Sequence, residues 1–323
     1  MVRWGIIGLG KIARVFATEF KYMDHAALQF AASSDPGRAA IFAKEFNIPL
    51  FGSYQDILSC DKVDAIYISL PHNQHFEFIA KCLNAGKHVL CEKPITVNFQ
   101  QIEALNLLAK QKNLFVMEAM WTLFLPAVLM AKQWLDEGRI GKITGLDIEF
   151  AFPAPVPGSK RLYDPMLAGG SLLDIGIYPI TLCKFLVGAL SKDWQVSSLM
   201  LESGVDSSVS ISLKYPDFLV HLTCSFLYRG RNAAVIYGEK GAITLPVFWK
   251  AKEVTLTDNN DDLLDNFKDE SNYHGFYFEM QHANQCILEG KIQSDQVSLD
   301  WSASIIAFMD EIRNKIGLRY PFE

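Results

Sequence analysis

The chain has 323 residues, 50% of them hydrophobic, so it is long enough for two domains, each with a buried core. The formal net charge of −6 gives no broad attraction to phosphate backbones or anionic lipid, which disfavours nucleic acids and membrane surfaces as partners. No signal peptide is evident, and no apolar stretch approaches the ~20 residues of a membrane helix, residues 123–131 coming nearest. The six cysteines have no metal-ligand spacing, so we expect reduced thiols in a cytoplasmic protein.

From residue 1 to about 120, short apolar runs alternate with helix-like segments. This alternation is typical of βαβ units and predicts an α/β domain with a doubly wound parallel sheet. We place this domain, of the dinucleotide-binding Rossmann type, at residues 1–119. The predicted strands are 4–8, 28–33, 65–69, 88–91 and 114–117.

The first predicted strand ends in Gly8-Leu9-Gly10-Lys11-Ile12-Ala13, a GxGxxA pattern that opens a helix. The first glycine permits a tight turn, the second lets the backbone approach a pyrophosphate, and Ala13 permits close helix packing. The helix N-terminus then faces the anion. An ordinary tight turn would also explain the glycines alone. We predict cofactor binding by Gly8, Gly10, Lys11 and Ile12. The apolar positions of this helix should share one side: Ile12, Val15, Phe16 and Phe20.

The end of the second strand should lie over the adenosine ribose of the cofactor. An acid there would select NAD, but Ser33 occupies the expected place. The hydroxyls of Ser33 and Ser34, with Arg38 one helical turn on, could hold a 2′-phosphate, which favours NADP. Asp35 is close enough to reverse this preference in favour of NAD, or it caps the helix that begins at Pro36.

The strand at 65–69 is followed by a polar turn at the predicted carboxyl edge of the sheet, where ligands bind in this fold. We predict that the turn contacts the cofactor through Leu70, Pro71, Asn73 and His75. The two histidines of this turn are His72 and His75. Histidines in a loop are more often hydrogen-bonded or capping residues than metal ligands, so we predict no metal. The strand at 88–91 ends in Cys91-Glu92-Lys93-Pro94, which can bring the Lys93 ammonium to the reacting end of the dinucleotide.

After residue 140 the apolar residues recur with period two, in 209–215 and 220–228. This period predicts strands with one buried face, and glycine-containing turns at 229–231 and 238–241 favour antiparallel connections. Helices are predicted at 273–290 and 298–318. We assign residues 120–323 to an α+β domain. Its first strand should be followed by an irregular loop containing Pro153, Pro155 and Pro157.

The combination of GxGxxA, Pro-x-Asn-x-His and Glu-Lys-Pro resembles the glucose–fructose oxidoreductase and inositol dehydrogenase (Gfo/Idh/MocA) family over essentially the whole chain. Members bind NAD or NADP and oxidise or reduce sugars, polyols and similar carbonyl compounds. The resemblance implies a large, mainly antiparallel open sheet in the second domain and a homodimer formed through it. It also implies that Lys93 and Glu92 lie at the cofactor, with Lys93 beside the nicotinamide and the substrate.

Within the family, residues 117–122 and 161–179 are similar to the dimeric dihydrodiol dehydrogenases and their NADP-dependent D-xylose dehydrogenase relatives. The usual Asp-x-Gly-x-His motif is Asp174-Ile175-Gly176-Ile177-Tyr178 in this chain, with tyrosine in place of histidine. In that group the tyrosine is the proposed acid/base. A phenol with a pKa near ~10 needs a nearby positive charge to ionise, and Lys93 could supply it. We predict Tyr178 and Lys93 as catalytic residues; the alternative for Tyr178 is a packing tyrosine.

Other candidates remain open between a functional and a structural role. Asp174 could position Lys93 or the substrate, or it could cap the backbone. If Ser171 caps a continuous helix, Asp174 and Tyr178 share one face of it. The alternative is that Pro179 starts a new helix. The predicted substrate contacts are Trp121, Trp249 and Phe276. A different class of function is a nucleotide-sensing regulator, which would not need a proton relay. The same residues also serve a reductase working toward the alcohol.

Overall fold

The computed structural model describes residues 1–154 and 160–323. Pro155 and Pro157 of the predicted loop lie outside the described residues. The chain divides into two compact units, and each is described by itself. The first unit comprises Met1–Met120 and Tyr273–Ala307, and the second comprises Trp121–Asn272 and Phe308–Glu323.

The first unit contains a six-stranded sheet in which every neighbouring pair is parallel. The order β3-β2-β1-β4-β5-β6 is that of a doubly wound dinucleotide-binding fold, so the predicted fold class is confirmed. The strands are β1 (Val2–Ile7), β2 (Ala26–Ala32), β3 (Leu50–Gly52), β4 (Ala65–Ile68), β5 (His88–Glu92) and β6 (Val116–Ala119). The helices between them are α1 (Lys11–Glu19), α2 (Pro36–Glu45), α3 (Tyr54–Ser59), α4 (His72–Asn84) and α5 (Phe99–Lys112).

The buried side of α1 differs from the predicted one. Ala13, Phe16 and Ala17, spaced as i, i+3 and i+4, are buried, whereas Ile12 is 43% exposed. Phe16 stacks on Tyr67 of β4 with ring centroids 3.7 Å apart. The sequence pattern marked Ile12 as apolar, but its position in the first turn points it away from the sheet.

The second unit contains an eight-stranded sheet in the order β14-β13-β12-β11-β7-β10-β9-β8. Its neighbouring strands are antiparallel apart from the parallel pair β7 and β10, which confirms the mainly antiparallel open sheet. The strands are β7 (Ile143–Ala151), β8 (Trp194–Met200), β9 (Asp206–Lys214), β10 (Leu219–Ser225), β11 (Ala233–Gly238), β12 (Gly241–Pro246), β13 (Glu253–Thr257) and β14 (Leu263–Lys268). The helices are α6 (Pro126–Asp136), α7 (Lys160–Tyr163) and α8 (Ile177–Val187).

Two helices close the chain as the sequence predicted: α9 (Phe276–Leu288) and α10 (Leu299–Ile316). Helix α9 belongs to the first unit, however, whereas the division at residue 120 placed it in the second domain. The reason is packing. The helix contacts α1 and β1, and Asn284 Oδ1 accepts a buried hydrogen bond of 3.0 Å from Trp4 Nε1.

Within the described residues, Pro165–Val187 is long and apolar enough to cross a membrane by length and composition. The expectation that no segment would approach this length was therefore wrong. Its 18-residue apolar window is 89% buried inside the protein, which is typical of a core helix. The segment is also not one continuous helix, because residues 168–170 separate the 3₁₀ turn Pro165–Leu167 from the helix that contains the π-helical stretch, Leu172–Gly176, and α8.

Candidate active site

The turn after β1 is held against the end of β4. Gly8 has φ +89°, and a Cβ built on it would lie 2.7 Å from the carbonyl oxygen of Ser69. The Ser69 hydroxyl in turn donates to the Gly8 carbonyl oxygen at 2.6 Å. Only glycine combines this backbone conformation with this close approach. Gly8 therefore shapes the turn.

Gly10 has a different environment. A Cβ built on it would meet no described atom within 4 Å, so the backbone here faces open space. Gly10 is the N-cap residue of α1 and has no side chain to cap the first turn, and Lys11 and Ile12 are exposed. A helix N-terminus with accessible N–H groups binds phosphate oxygens. This open backbone and helix end fit the pyrophosphate of a dinucleotide.

The end of β2 carries the residues predicted to select the cofactor. Ser33 is 2% exposed, and its hydroxyl oxygen accepts a hydrogen bond from the Asp35 N–H at 3.1 Å. The Asp35 carboxylate accepts the N–H groups of Gly37 and Arg38 at 2.8 and 3.2 Å, so it caps α2. Asp35 thus serves as a helix cap, while Ser34 and Arg38 are exposed.

Of the predicted contacts, Leu70 and Pro71 lie in the turn after β4 and Asn73 lies in the first turn of α4, and all three are partly exposed. His75 is different, because it is fully buried and its ring nitrogens lie 2.8 Å from the carbonyl oxygens of Leu70 and Pro94. The imidazole therefore ties the turn to the residue that follows Lys93. This position suits a structural tie between the two predicted cofactor segments better than direct cofactor contact.

Glu92 is the last residue of β5, and Lys93, which follows it, is partly exposed. The Tyr67 hydroxyl donates to Glu92 Oε1 at 2.5 Å. Burial raises the pKa of the Glu92 carboxyl, although the hydrogen bond from Tyr67 and the charge of Lys93 act in the opposite direction. Glu92 is thus anchored from the neighbouring strand β4, next to the predicted catalytic lysine.

Two further buried carboxyl groups belong to this region, and neither was predicted as a site residue. Glu118, at 1% exposure, accepts the Ile95 N–H at 2.9 Å and the Ser302 hydroxyl at 2.7 Å. Glu279 is fully buried, and its two oxygens have no hydrogen-bond partner among the described residues. Burial raises the pKa of both groups, and the charges of Glu92 and Glu118 raise that of Glu279 further.

In the second unit, a buried aspartate holds the segment that carries the Asp-x-Gly-x-Tyr motif. Asp206, the first residue of β9, accepts the Ser171 hydroxyl at 2.6 Å and the Leu172 N–H at 2.7 Å. Ser171 therefore does not act as a helix cap. A Cβ on Gly170 would lie 2.3 Å from Asp206 Oδ1, so this contact requires glycine there. π-Helical turns such as the one that follows are frequent at functional sites.

Helix α8 begins at Ile177, so Tyr178 lies in its first turn and Pro179 is its third residue. The backbone stays helical from the π-helical stretch through Gly176 into α8, so Pro179 continues a helix rather than starting one. Tyr178 and Trp121 are 7% and 8% exposed. The indole Nε1 of Trp121 donates to the Tyr178 hydroxyl oxygen at 3.1 Å. Two residues predicted independently are thus in direct contact.

Aromatic rings surround this pair within the second unit. Phe150 meets Tyr178 edge to face at 5.5 Å between centroids and stacks on Trp249 at 3.8 Å. The Trp249 carbonyl oxygen accepts the Thr122 hydroxyl at 2.8 Å. Tyr178, Trp121, Phe150 and Trp249 form what we call the aromatic cluster. Phe276, the third predicted substrate contact, belongs to the first unit and is 4% exposed.

Asp174 lies on the π-helical stretch and is 8% exposed. Its Oδ1 forms an ion pair with Arg161 Nη2 at 2.9 Å. Both residues lie in the segment 161–179 that resembles the dihydrodiol dehydrogenases, yet their pairing was not predicted. A carboxylate held this way has a fixed orientation, which suits a positioning role.

Comparison with known proteins identifies both parts of the chain. Residues 2–120 match the oxidoreductase family with an NAD-binding Rossmann fold, and residues 128–244 match the GFO/IDH/MocA C-terminal domain. The trans-1,2-dihydrobenzene-1,2-diol dehydrogenase of Mus musculus is 33% identical over 332 residues, covering 99% of this chain and 98% of that enzyme. The Homo sapiens enzyme is 32% identical, with the same coverage.

Two solved structures share this fold over nearly the whole chain. A 3-ketoreductase from Actinomadura kijaniata, crystallised with NADP and TDP-benzene, is 28% identical with a TM-score of 0.85 and 97% coverage of both chains. An aldose-aldose oxidoreductase from Caulobacter crescentus shares the fold, with a TM-score of 0.87 at 22% identity and 98% coverage of both chains. Because the sequence matches extend over both the Rossmann sheet and the second sheet, the chain belongs to the Gfo/Idh/MocA family of oxidoreductases.

Proposed function

We propose that this protein is an NADP-dependent oxidoreductase that interconverts a secondary alcohol and a carbonyl on a sugar or cyclic diol, with Tyr178 as acid/base. The observation that carries the proposal is the buried hydrogen bond from Trp121 Nε1 to the Tyr178 hydroxyl oxygen. A phenol oxygen that accepts a hydrogen bond is better able to carry negative charge. Buried phenols and indoles both ordinarily find hydrogen-bond partners, and here the indole is the donor, which places the phenol oxygen in the acceptor role.

In the oxidation direction, Tyr178 takes the proton from the substrate hydroxyl, and in reduction it returns that proton. The Trp121 N–H stabilises the phenolate that this requires. Lys93 supplies the positive charge predicted from the sequence, and Glu92, anchored by Tyr67, orients the segment that carries it. A nicotinamide dinucleotide, held at Gly8, Gly10 and the N-terminus of α1, would supply the hydride chemistry when bound. Asp174, held by Arg161, orients the substrate.

NADP is the proposed cofactor, with NAD as the alternative. Asp35 caps α2 through its carboxylate, which leaves the hydroxyl of Ser34 and the guanidinium of Arg38 as the polar groups suited to a 2′-phosphate. The Actinomadura relative was crystallised with NADP. The ratio of kcat/KM for NADP to that for NAD measures this preference directly.

The substrate class follows the full-length diol dehydrogenase relatives and the aromatic cluster. Aromatic faces pack well against the apolar faces of rings. Steady-state assays with NADP and a panel of aldoses and trans-dihydrodiols test this proposal. Turnover on at least one of these classes supports it. Tight NADP binding without turnover on any alcohol or carbonyl would instead favour the nucleotide-sensing regulator.

Tyr178→Phe tests the acid/base role. We expect turnover to fall by about 10²-fold or more, with the Kd for NADP nearly unchanged, because the change removes one oxygen. Tyr163→Phe is the matched control, since the Tyr163 hydroxyl donates to the Ala154 carbonyl in the same unit. Equal activity of wild type and Tyr178→Phe would remove Tyr178 from the mechanism.

We also propose a cytoplasmic homodimer formed through the outer face of the second sheet. On that face Leu219 and Tyr237 flank Gly145 in register, at 49% and 42% exposure. Exposed apolar side chains on either side of a glycine suit contact with another sheet. Sedimentation should give a dimer for wild type and a monomer for Leu219→Glu combined with Tyr237→Glu. A monomeric wild type would refute this part of the proposal.

A further inference from the structure

Three side chains with metal-ligand atoms come together in the first unit, apart from the residues assigned to the reaction. His282 and Cys286 lie four residues apart on one face of α9, and Asp295 follows in the segment before α10. His282 Nε2 is 3.5 Å from Cys286 Sγ and 3.5 Å from Asp295 Oδ1. The three ligand atoms all lie within 4.8 Å of one another.

These separations match the edges of a tetrahedral zinc site. Bond lengths of about 2.3 Å to sulfur and about 2.0–2.2 Å to nitrogen and oxygen imply ligand-to-ligand distances of roughly 3.4–3.6 Å. Both measured distances from His282 fall in this range. The Asp295 side chain is 68% exposed and can turn to close the remaining edge. A water molecule would complete four-coordination.

The hydrogen bonds around His282 favour the ring form that binds a metal. The Ser294 hydroxyl oxygen accepts the N–H groups of Gln296 and Val297 at 3.0 and 2.9 Å. Its own hydrogen can therefore point to His282 Nε2, 2.7 Å away. Nε2 is then the unprotonated nitrogen, as metal binding requires, and a bound metal would displace the Ser294 hydroxyl from its lone pair.

We propose that His282, Cys286 and Asp295 bind one divalent cation of the zinc class, linking the end of α9 to the segment that follows it. No metal was predicted, because the cysteines have no metal-ligand spacing and the three ligands here come from a helix and the segment after it, which make no recognised sequence motif. The competitor is Lys291, whose Nζ lies 3.3 Å from Asp295 Oδ2 and 2.9 Å from Glu289 Oε2. A bound cation would replace this ammonium beside Asp295.

Cobalt titration of the full-length protein, stripped of metal with EDTA, tests the site. We expect one equivalent of Co²⁺ to bind with a thiolate-to-cobalt absorption band that added Zn²⁺ abolishes. Cys286→Ser should remove the band, and His282→Ala should weaken Co²⁺ binding by about 100-fold. Cys60→Ser, at a partly exposed cysteine elsewhere in this unit, is the matched control and should keep the band.

Two further measurements sharpen the test. Lys291→Met should tighten Co²⁺ binding several-fold, because it removes the competing cation. Cys286 would bind the metal as its thiolate, so binding must release the thiol proton, and affinity should rise with pH between pH 6 and 8. No thiolate band in either wild type or Lys291→Met, or a band that survives Cys286→Ser, would overturn the proposal.

Discussion

The hydrogen bond from Trp121 to Tyr178 makes a quantitative prediction about the proposed reaction. Trp121→Phe keeps an aromatic ring in the aromatic cluster but removes the N–H that lies 3.1 Å from the Tyr178 oxygen. A hydrogen bond to a charged group contributes about 1.5–3 kcal/mol. Since about 1.4 kcal/mol corresponds to a factor of ten, the phenolate becomes roughly 10- to 100-fold harder to form.

The direction of the shift in the pH profile follows from the protonation state of Tyr178 that oxidation and reduction each require. Oxidation uses the deprotonated phenol, so removing a donor that stabilises the phenolate shifts the rising limb of the kcat/KM profile to higher pH. The expected shift is about one to two pH units. At a fixed pH on that limb, kcat/KM for alcohol oxidation falls by roughly 10- to 100-fold. Reduction uses the protonated phenol and is sustained to higher pH.

The assay is kcat/KM for alcohol oxidation from pH 6 to 10, with Trp249→Phe as the matched control. Trp249 stacks on Phe150 in the same cluster, so its replacement perturbs the packing without removing the donor to Tyr178. We expect Trp249→Phe to change KM but not the position of the limb. Equal limb positions for wild type and Trp121→Phe would refute the role of this hydrogen bond, as would equal shifts in both variants.

Three other predictions follow from the first unit. The Gly10→Ala variant should fold with normal stability but bind NADP at least about tenfold more weakly, because the added methyl enters open space where phosphate would lie. The Gly8→Ala variant should instead have a lower melting temperature, because the added Cβ meets the Ser69 carbonyl. Arg38→Ala should raise KM for NADP but leave that for NAD unchanged; equal effects on both would contradict 2′-phosphate binding. Burial raises the pKa of Glu279 well above its ordinary value. The folded protein therefore keeps a proton that the unfolded chain loses above about pH 4.3. The free energy of unfolding contributed by this group falls as pH rises. Glu279→Gln should therefore gain thermal stability over wild type as pH rises from 5 to 8, whereas Glu103→Gln, at an exposed position of α5, should not; a pH-independent difference for Glu279→Gln would contradict the buried carboxyl.

Much of the cofactor half could be predicted from local pattern. The glycine turn, the parallel strands and the polar turn after β4 depend on short-range spacing, because strand ends in a doubly wound sheet meet at one edge. The burial of His75 was not predicted, and for Asp35 the sequence left capping and selection of NAD as alternatives. Each depends on which neighbouring atoms the folded chain brings within hydrogen-bonding distance, and local sequence leaves several partners equally plausible.

The sequence by itself determined the fold class, the family and the residue types at the candidate active site, because backbone periodicity and motif spacing are local properties. Only the tertiary structure decided the partners of those residues. Trp121 and Tyr178 are 57 positions apart, and Ser171 and Asp206 are 35 positions apart, yet each pair shares a buried hydrogen bond. The same applies to α9, which packs with the first sheet rather than the second. Such long-range pairs form where buried apolar faces and polar groups find complementary partners, and no sequence window contains both members.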